Sequence, residues 1–396
     1  MDSDARMVAE LAVLEAAGNL RTLHSVRPEG LYLRHGGRRY LNLSGNDYLA
    51  LSASPYSTLD LRRYAAEVWG AERLSPHLHG NPASRLMTAD SEEYDILESE
   101  LATLFPGRAA LVLSCGYMLN SGLMPALADK SELILADKLV HASMIEGLTH
   151  GAAEFRRFPH NDLAALERQL QRAAGRGVWV LVESLYSMDG DSAPLRELAA
   201  LKERYGFRLY VDEAHSFAVR GPQGKGLCAE LGVDRAVDLL VCTFGKAMAG
   251  AGAAVICSPL VRRVLINRLR PLIFSTALPP ITLLWDAMVL REMRTESLQA
   301  QGYPGMGSLR AQLAANLRRF TELTGIPAPS QIIPLPCGSN ARALAAAEAG
   351  RAAGLWLTAI RRPTVPAGSE RIRLSLNAGL TDTHLQQLAD LCRKLG

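Results

Sequence analysis

The sequence predicts a layered α/β protein, because short apolar and β-branched runs of strand length recur between stretches of helical periodicity. Two of those runs lead into side chains suited to gripping a cofactor, Asp212 and Lys246. With 396 residues and 48% hydrophobic content, the chain has enough apolar material for one large domain and a smaller one.

Taken in order, residues 4–23 place apolar side chains at helical spacing, and residues 31–43 read as a hairpin turning at Gly36-Gly37. Residues 1–54 are therefore expected to form an N-terminal arm. From 55 to 285 the pattern alternates, with a helix over 91–104 and strands at 110–113, 133–136, 179–182, 208–211, 239–242 and 253–256. That is the expected large domain, built on a mostly parallel sheet. A long helix over 280–301, a break at Gly302–Gly307, and strands at 331–335, 355–358 and 371–376 make residues 286–396 a smaller C-terminal α+β domain. No internal repeat or low-complexity tract interrupts this order.

The chemistry is concentrated at two strand ends. Thr243-Phe244-Gly245-Lys246 follows the apolar run 237–242 and precedes a run of mostly small residues, so a strand of a buried sheet brings Lys246 to its carboxyl end with room for a flat ligand. A lysine there suits a covalent Schiff-base anchor for pyridoxal 5'-phosphate (PLP). Upstream, the run 208–211 leads into Asp212, with His215 three residues on. PLP needs a carboxylate against its pyridine nitrogen, and Asp212 fits that need, while His215 can bond near the ring hydroxyl or the lysine nitrogen. Taken singly, a lysine after a strand is more often a solvated helix start and such an aspartate a helix cap; together, on successive strands, they point to a PLP site.

Seven segments in fixed order then resemble a known family, the α-oxoamine synthases: 41–49 (Leu-Asn-Leu-Ser-Gly-Asn-Asp-Tyr-Leu), 136–143, 186–191, 211–215, 243–246, 275–280 and 362–368. The resemblance covers nearly the whole chain and implies the PLP-dependent transferase fold type I, that of aspartate aminotransferase. It also implies the remaining site residues. Gly116 and Tyr117, in a strand-to-helix turn after Ser114, would lie against the cofactor, the turn's backbone N–H groups facing its phosphate. His141 would stack on the pyridine ring, Ser187 would bond its hydroxyl, and Thr243 would hold phosphate. Ser275 and Thr276 would reach the phosphate of a neighbouring subunit, which implies a homodimer with a shared active site. Arg21 on the N-terminal helix, Asn46, Ser84 and Arg373 would lie near substrate, the arginines gripping carboxylates through paired hydrogen bonds. Lys246, Asp212, His141 and His215 would be the catalytic set.

The resemblance is nearest to the biotin-pathway branch. It implies decarboxylative condensation of L-alanine with a pimeloyl thioester, either pimeloyl-CoA or pimeloyl-acyl carrier protein. Another amino acid or acyl chain within the family, such as glycine with acetyl-CoA, stays open, as does an aminotransferase of the same fold. One segment departs from the family pattern: 78–86 reads Leu-His-Gly-Asn-Pro-Ala-Ser-Arg-Leu where a glycine-rich loop is usual, which leaves the acyl donor undecided. Tyr94 stands where the family often has histidine.

Composition narrows the partners. A formal net charge of +3 without a long basic run speaks against nucleic acid. The six cysteines lack metal-ligand or redox spacing, so no metal is expected and reduced thiols are. Without a basic-then-apolar leader or an apolar run of roughly 20 residues, a cytoplasmic protein off the membrane is expected.

Overall fold

The computed structural model describes residues 2–395. Its largest sheet has seven strands in the order Ala109–Leu113, Ala253–Cys257, Leu239–Thr243, Arg208–Asp212, Val178–Glu183, Leu133–Asp137 and Glu154–Phe158. Ala253–Cys257 runs antiparallel to both its neighbours, and every other pairing is parallel. The central strands are apolar without alternation and buried along their length, as expected where helices cover both faces. Trp179, Tyr210 and Leu181 are among the fully buried side chains that fill one face against Leu119, Leu123 and Met144 of the flanking helices. Each such side chain removed from water stabilises the fold by about 1.5–3 kcal/mol.

Two compact units result. The larger comprises Pro55–Ser187 and Asp191–Arg310; the other comprises Met1–Ser54, Met188–Gly190 and Ala311–Gly396. This division differs from the expected one in two respects. The arm is part of the smaller unit, because Leu41 and Leu43 share one core with Ile333, Leu355, Leu374 and Leu388. The boundary expected after residue 285 falls inside the helix Pro280–Thr295, whose buried face keeps the whole helix in the larger unit.

The smaller unit holds two sheets. The hairpin Tyr32–His35 and Arg38–Asn42 forms as expected, joined by Arg27–Glu29 and Leu355–Trp356. Leu355–Trp356 had been expected in the C-terminal sheet and instead runs parallel to Arg38–Asn42. Leu41 N–H donates to Gly354 O and Leu43 N–H to Trp356 O, and Trp356 packs on Leu33 and Tyr40. The C-terminal sheet keeps Ile332–Pro336 and Arg371–Ser375, with Ala359–Ile360 on its other edge. The first helix is Ser3–Ala16, shorter than the periodicity suggested, so Arg21 lies beyond it in irregular chain.

Candidate active site

The carboxyl ends of the central strands open into a cavity of about 350 Å³ in the larger unit. The sheet explains its contents. Asp212 closes the strand Arg208–Asp212 and sits in register with Glu183 on one neighbour and Val241 on the other. The strand Leu239–Thr243 delivers Lys246 three residues past its end, and the turn after Ala109–Leu113 opens the helix Gly116–Leu127. Lys246, Asp212, His215, His141, Thr243, Gly116 and Tyr117 all line this cavity.

Hydrogen bonds fix the orientation of each group. Lys246 Nζ lies 3.1 Å from His215 Nε2. Asp212 Oδ2 accepts from Asn120 Nδ2 at 2.8 Å and Oδ1 from the Ala214 N–H at 2.8 Å, so the carboxyl cannot turn away from the cavity without losing two bonds. Asn120 is itself held by Tyr210, whose hydroxyl donates to Asn120 Oδ1 at 2.6 Å. His141 caps the helix Ala142–His150: its Nδ1 accepts the Ser143 N–H at 3.3 Å and lies 2.7 Å from Ser143 Oγ. Nδ1 as acceptor leaves Nε2 to carry the ring proton. The protein walls around this ring push its pKa below the ordinary histidine value, more strongly than the nearby Asp212 raises it. The imidazole is therefore neutral at neutral pH.

Sequence reasoning missed Asn120, Ser143 and Glu183. Asn120 lies one helical turn after Gly116, a spacing that puts both on the cavity side, and Glu183 occupies a strand end as Asp212 does. Glu183 is 2% exposed and its Oε1 has no hydrogen-bond partner. Burial, followed by the charge of neighbouring Asp212, pushes its pKa well above the carboxylate range, so it holds its proton.

The residues present fit PLP. A Cβ added at Gly116 would come within 2.7 Å of Thr243 Cγ2, so only glycine lets the helix N-terminus and this threonine border the same space. The first N–H groups of a twelve-residue helix beside a hydroxyl suit a phosphate dianion. Tyr117 stands edge-on to His141 with ring centroids 6.2 Å apart, and its hydroxyl donates to Glu146.

Other expected residues lie elsewhere. Ser187 follows the strand Val178–Glu183 by four positions and does not line the cavity in this chain. Ser275 and Thr276 do not line it either. Thr276 pairs with Ser84 in an isolated antiparallel bridge, its carbonyl accepts from Ser114 Oγ, and the Ala277 N–H donates to Ala83 O. The divergent segment 78–86 is thus laid along 275–281. Arg85, buried, anchors it: it bonds Glu98 at 2.7 Å and the Val112 carbonyl, and stacks over Tyr94 at 3.9 Å. Tyr94 is the residue that departs from the family's histidine, and its hydroxyl accepts the Leu278 N–H at 2.8 Å.

In the smaller unit, Asn46 and Arg373 come together. Arg373 Nη2 donates to Asn46 Oδ1 at 3.1 Å and Tyr48 Oη at 3.0 Å, and Nη1 donates to Ser375 Oγ. Arg21 instead reaches Thr364 Oγ1 at 3.2 Å and the Arg362 carbonyl, a partner that sequence reasoning had not singled out.

Comparison with known proteins agrees with this site. The family model for aminotransferases of class I and II matches residues 38–391, and the chain belongs to that family of PLP-dependent enzymes. A curated relative, the 8-amino-7-oxononanoate synthase of Chlorobaculum parvum, is 41% identical with both chains covered in full. A putative 8-amino-7-oxononanoate synthase of Pasteurella multocida is 43% identical over 79% of this chain and 81% of that one. Within the family, the chain groups with these synthases. Among solved structures, a serine palmitoyltransferase from Sphingomonas wittichii superposes with a TM-score of 0.86 at 28% identity, covering 99% of this chain and 96% of that one. The 8-amino-7-oxononanoate synthase of Francisella tularensis gives 0.71 at 25%, covering 90% and 97%. A serine palmitoyltransferase from S. paucimobilis with a bound PLP–myriocin aldimine gives 0.86 at 26% identity, covering 100% and 98%. Among the described residues no helix is long and apolar enough to cross a membrane, and no cluster of His, Cys, Asp and Glu is arranged to hold a metal.

Proposed function

We propose that this chain is a PLP-dependent acyltransferase that condenses L-alanine with a pimeloyl thioester, releasing carbon dioxide and the free thiol to give 8-amino-7-oxononanoate in biotin synthesis. The observation that carries this is the convergence of Lys246, Asp212, His141 and His215 on one cavity, in a chain whose full-length relatives bear that enzyme's name.

PLP, when bound, supplies an electron sink that stabilises negative charge at the substrate Cα. Lys246 Nζ would anchor it and, as a free amine, would take the Cα proton of the substrate. Asp212, fixed by Asn120 and the Ala214 N–H, would keep the pyridine nitrogen of the bound cofactor protonated. His215 Nε2 stays within 3.1 Å of Nζ and can hold or return its proton. His141, neutral with a proton on Nε2, offers a donor on the cavity wall without adding charge. Gly116, the helix it opens and Thr243 would hold the phosphate. Arg373, already aligned by Asn46 and Tyr48, is assigned to a substrate carboxylate.

The reading includes a homodimer in the cytoplasm. Its support is the neighbourhood of Ser275 and Thr276: Phe274 is 70% exposed, and Met87, on the turn that follows the Ser84 pairing, is 77% exposed. Large apolar side chains beside two hydroxyls that the family resemblance assigns to a neighbouring subunit's phosphate suit a surface covered by a second copy.

The test is product mass after the PLP-loaded protein meets an equal mixture of L-alanine, glycine and L-serine, with pimeloyl-CoA in one reaction and pimeloyl-acyl carrier protein in another. A single product of pimeloyl plus alanine minus carbon dioxide supports the proposal, and the faster reaction identifies the donor. A glycine or serine adduct, or pyruvate formed without acyl transfer, refutes it.

A further inference from the structure

His160 sits outside the cavity, on the loop after the edge strand Glu154–Phe158, yet it bonds the end of the strand Leu133–Asp137 and the loop that follows Val178–Glu183. Its Nδ1 lies 3.0 Å from Asp137 Oδ1 and its Nε2 lies 2.8 Å from Asp191 Oδ2. Both ring nitrogens face carboxylates, which only accept, and the Asn161 amide nitrogen also lies 3.2 Å from Nε2; the imidazolium is the form that donates to both carboxylates at once. Burial works against that charge, but the bonds to Asp137 and Asp191 outweigh it and raise the pKa to about 10.

Each carboxylate governs a segment that the family resemblance brings to the cofactor, although of His141 and Ser187 only His141 lines the cavity here. Asp137, fully buried, also accepts the Leu139 N–H at 2.7 Å on Oδ1 and the Asn161 N–H at 2.9 Å on Oδ2, which sets the turn leading to His141. Asp191 accepts from Asn161 Nδ2 at 3.1 Å, and its carbonyl accepts the Tyr186 N–H at 2.9 Å. With the Leu185–Ser192 bridge, this closes the loop that carries Ser187. Tyr186 packs edge-on against the His160 ring at 4.4 Å. Asn161 is held at φ +55°, a left-handed conformation that asparagine adopts more readily than other non-glycine residues, and this turns its side chain and N–H onto Asp191 and Asp137 together.

We propose that His160 is a positioning residue, a charged bridge between Asp137 and Asp191 that sets the His141 turn and the Ser187 loop at the geometry the cofactor requires. The proposal rests on reading the cavity as a PLP site. It assigns His160 no contact with cofactor or substrate.

The test titrates PLP into the cofactor-free full-length chain and follows the visible absorbance of the lysine-bound form, alongside the melting temperature without PLP. In His160→Gln one amide donor cannot serve two carboxylates, and the expected result is PLP affinity about ten- to a hundredfold weaker with an altered absorbance. Asp191→Asn keeps an acceptor for Nε2 and loses only the charge, so it should fold and show a smaller loss of affinity. Wild-type affinity and absorbance in both variants overturn the proposal, even if the melting temperature falls, because the bridge would then serve the fold alone. Ser187→Ala separates the two readings: if it binds PLP normally, Ser187 is not a cofactor ligand, and a loss in His160→Gln then supports the bridge through the His141 turn.

Discussion

Asp286 offers the most quantitative test of the structure. It lies in the middle of the helix Pro280–Thr295, is 0% exposed, and neither carboxyl oxygen has a hydrogen-bond partner. Burial drives its pKa well above 3.8, opposed only weakly by the nearby Ala251 N–H. The folded protein therefore holds a proton that the unfolded chain releases once pH passes about 4. For a raised acid, stability is fully present below the unfolded pKa and is lost as pH rises towards the folded pKa, by up to about 1.4 kcal/mol per pH unit. Asp286→Asn keeps the shape and removes the ionisation. Below about pH 3.5 the variant should melt with the wild type; at higher pH it should become progressively more stable, by about 1.4 kcal/mol for each pH unit between the unfolded and folded pKa, each kcal/mol being worth roughly 2–4 °C for a unit of this size. Thermal melts of both proteins across that range measure the difference, and other titrating groups cancel because they are common to both. A melting difference that stays constant from pH 4.5 to 8 would show that Asp286 does not change protonation on unfolding, and the reasoning from its burial would be wrong.

Three further outcomes follow from close contacts. A Cβ at Gly250 would lie 1.8 Å from Asp286 Oδ1, so Gly250→Ala should destabilise by about 1–3 kcal/mol in thermal melts, and adding Asp286→Ala should recover most of the loss. Gly116→Ala should weaken PLP binding in absorbance titrations by about tenfold or more, and Thr243→Ser, which lacks the methyl that obstructs the new Cβ, should restore it. Arg85→Ala should lower stability by about 3–5 kcal/mol in denaturant unfolding, because it removes a buried partner of Glu98 and the donor to the Val112 carbonyl together.

The sheet was legible because its central strands are uninterrupted apolar runs, and Asp212 and Lys246 were legible because each follows such a run at its carboxyl end; Gly116, His141 and Thr243 came only from the family resemblance, since a turn glycine, a helix-cap histidine and a strand-end threonine carry no signal of their own. Glu154–Phe158 escaped notice for the converse reason: Glu154, Arg156 and Arg157 are exposed on an edge strand, so its sequence carries little apolar signal. Leu355–Trp356 read correctly as a strand, but its partner lies more than 300 residues away in sequence, and hydropathy does not encode that pairing. Asn120 and Glu183 were missed because a buried amide or acid in one line of sequence looks like any other polar residue; its role comes from the strand register that sets Glu183 beside Asp212. Arg21 was placed on a helix because its periodicity outlasts the helix itself, which ends at Ala16.

The smaller unit draws its core from both ends of the chain, and that has a consequence in time. Leu41 and Leu43 cannot meet Leu355, Leu374 or Leu388 until the ribosome has made the intervening larger unit of about 250 residues. At roughly 5–20 residues per second, the first 54 residues wait on the order of 10–50 s with their apolar side chains unmatched. During that interval the larger unit emerges in one continuous stretch but for the three residues 188–190. The nascent chain is therefore most exposed to aggregation at its amino-terminal hairpin, and slowing translation late in the message should trap a protein whose cofactor cavity is built while its other core is still open.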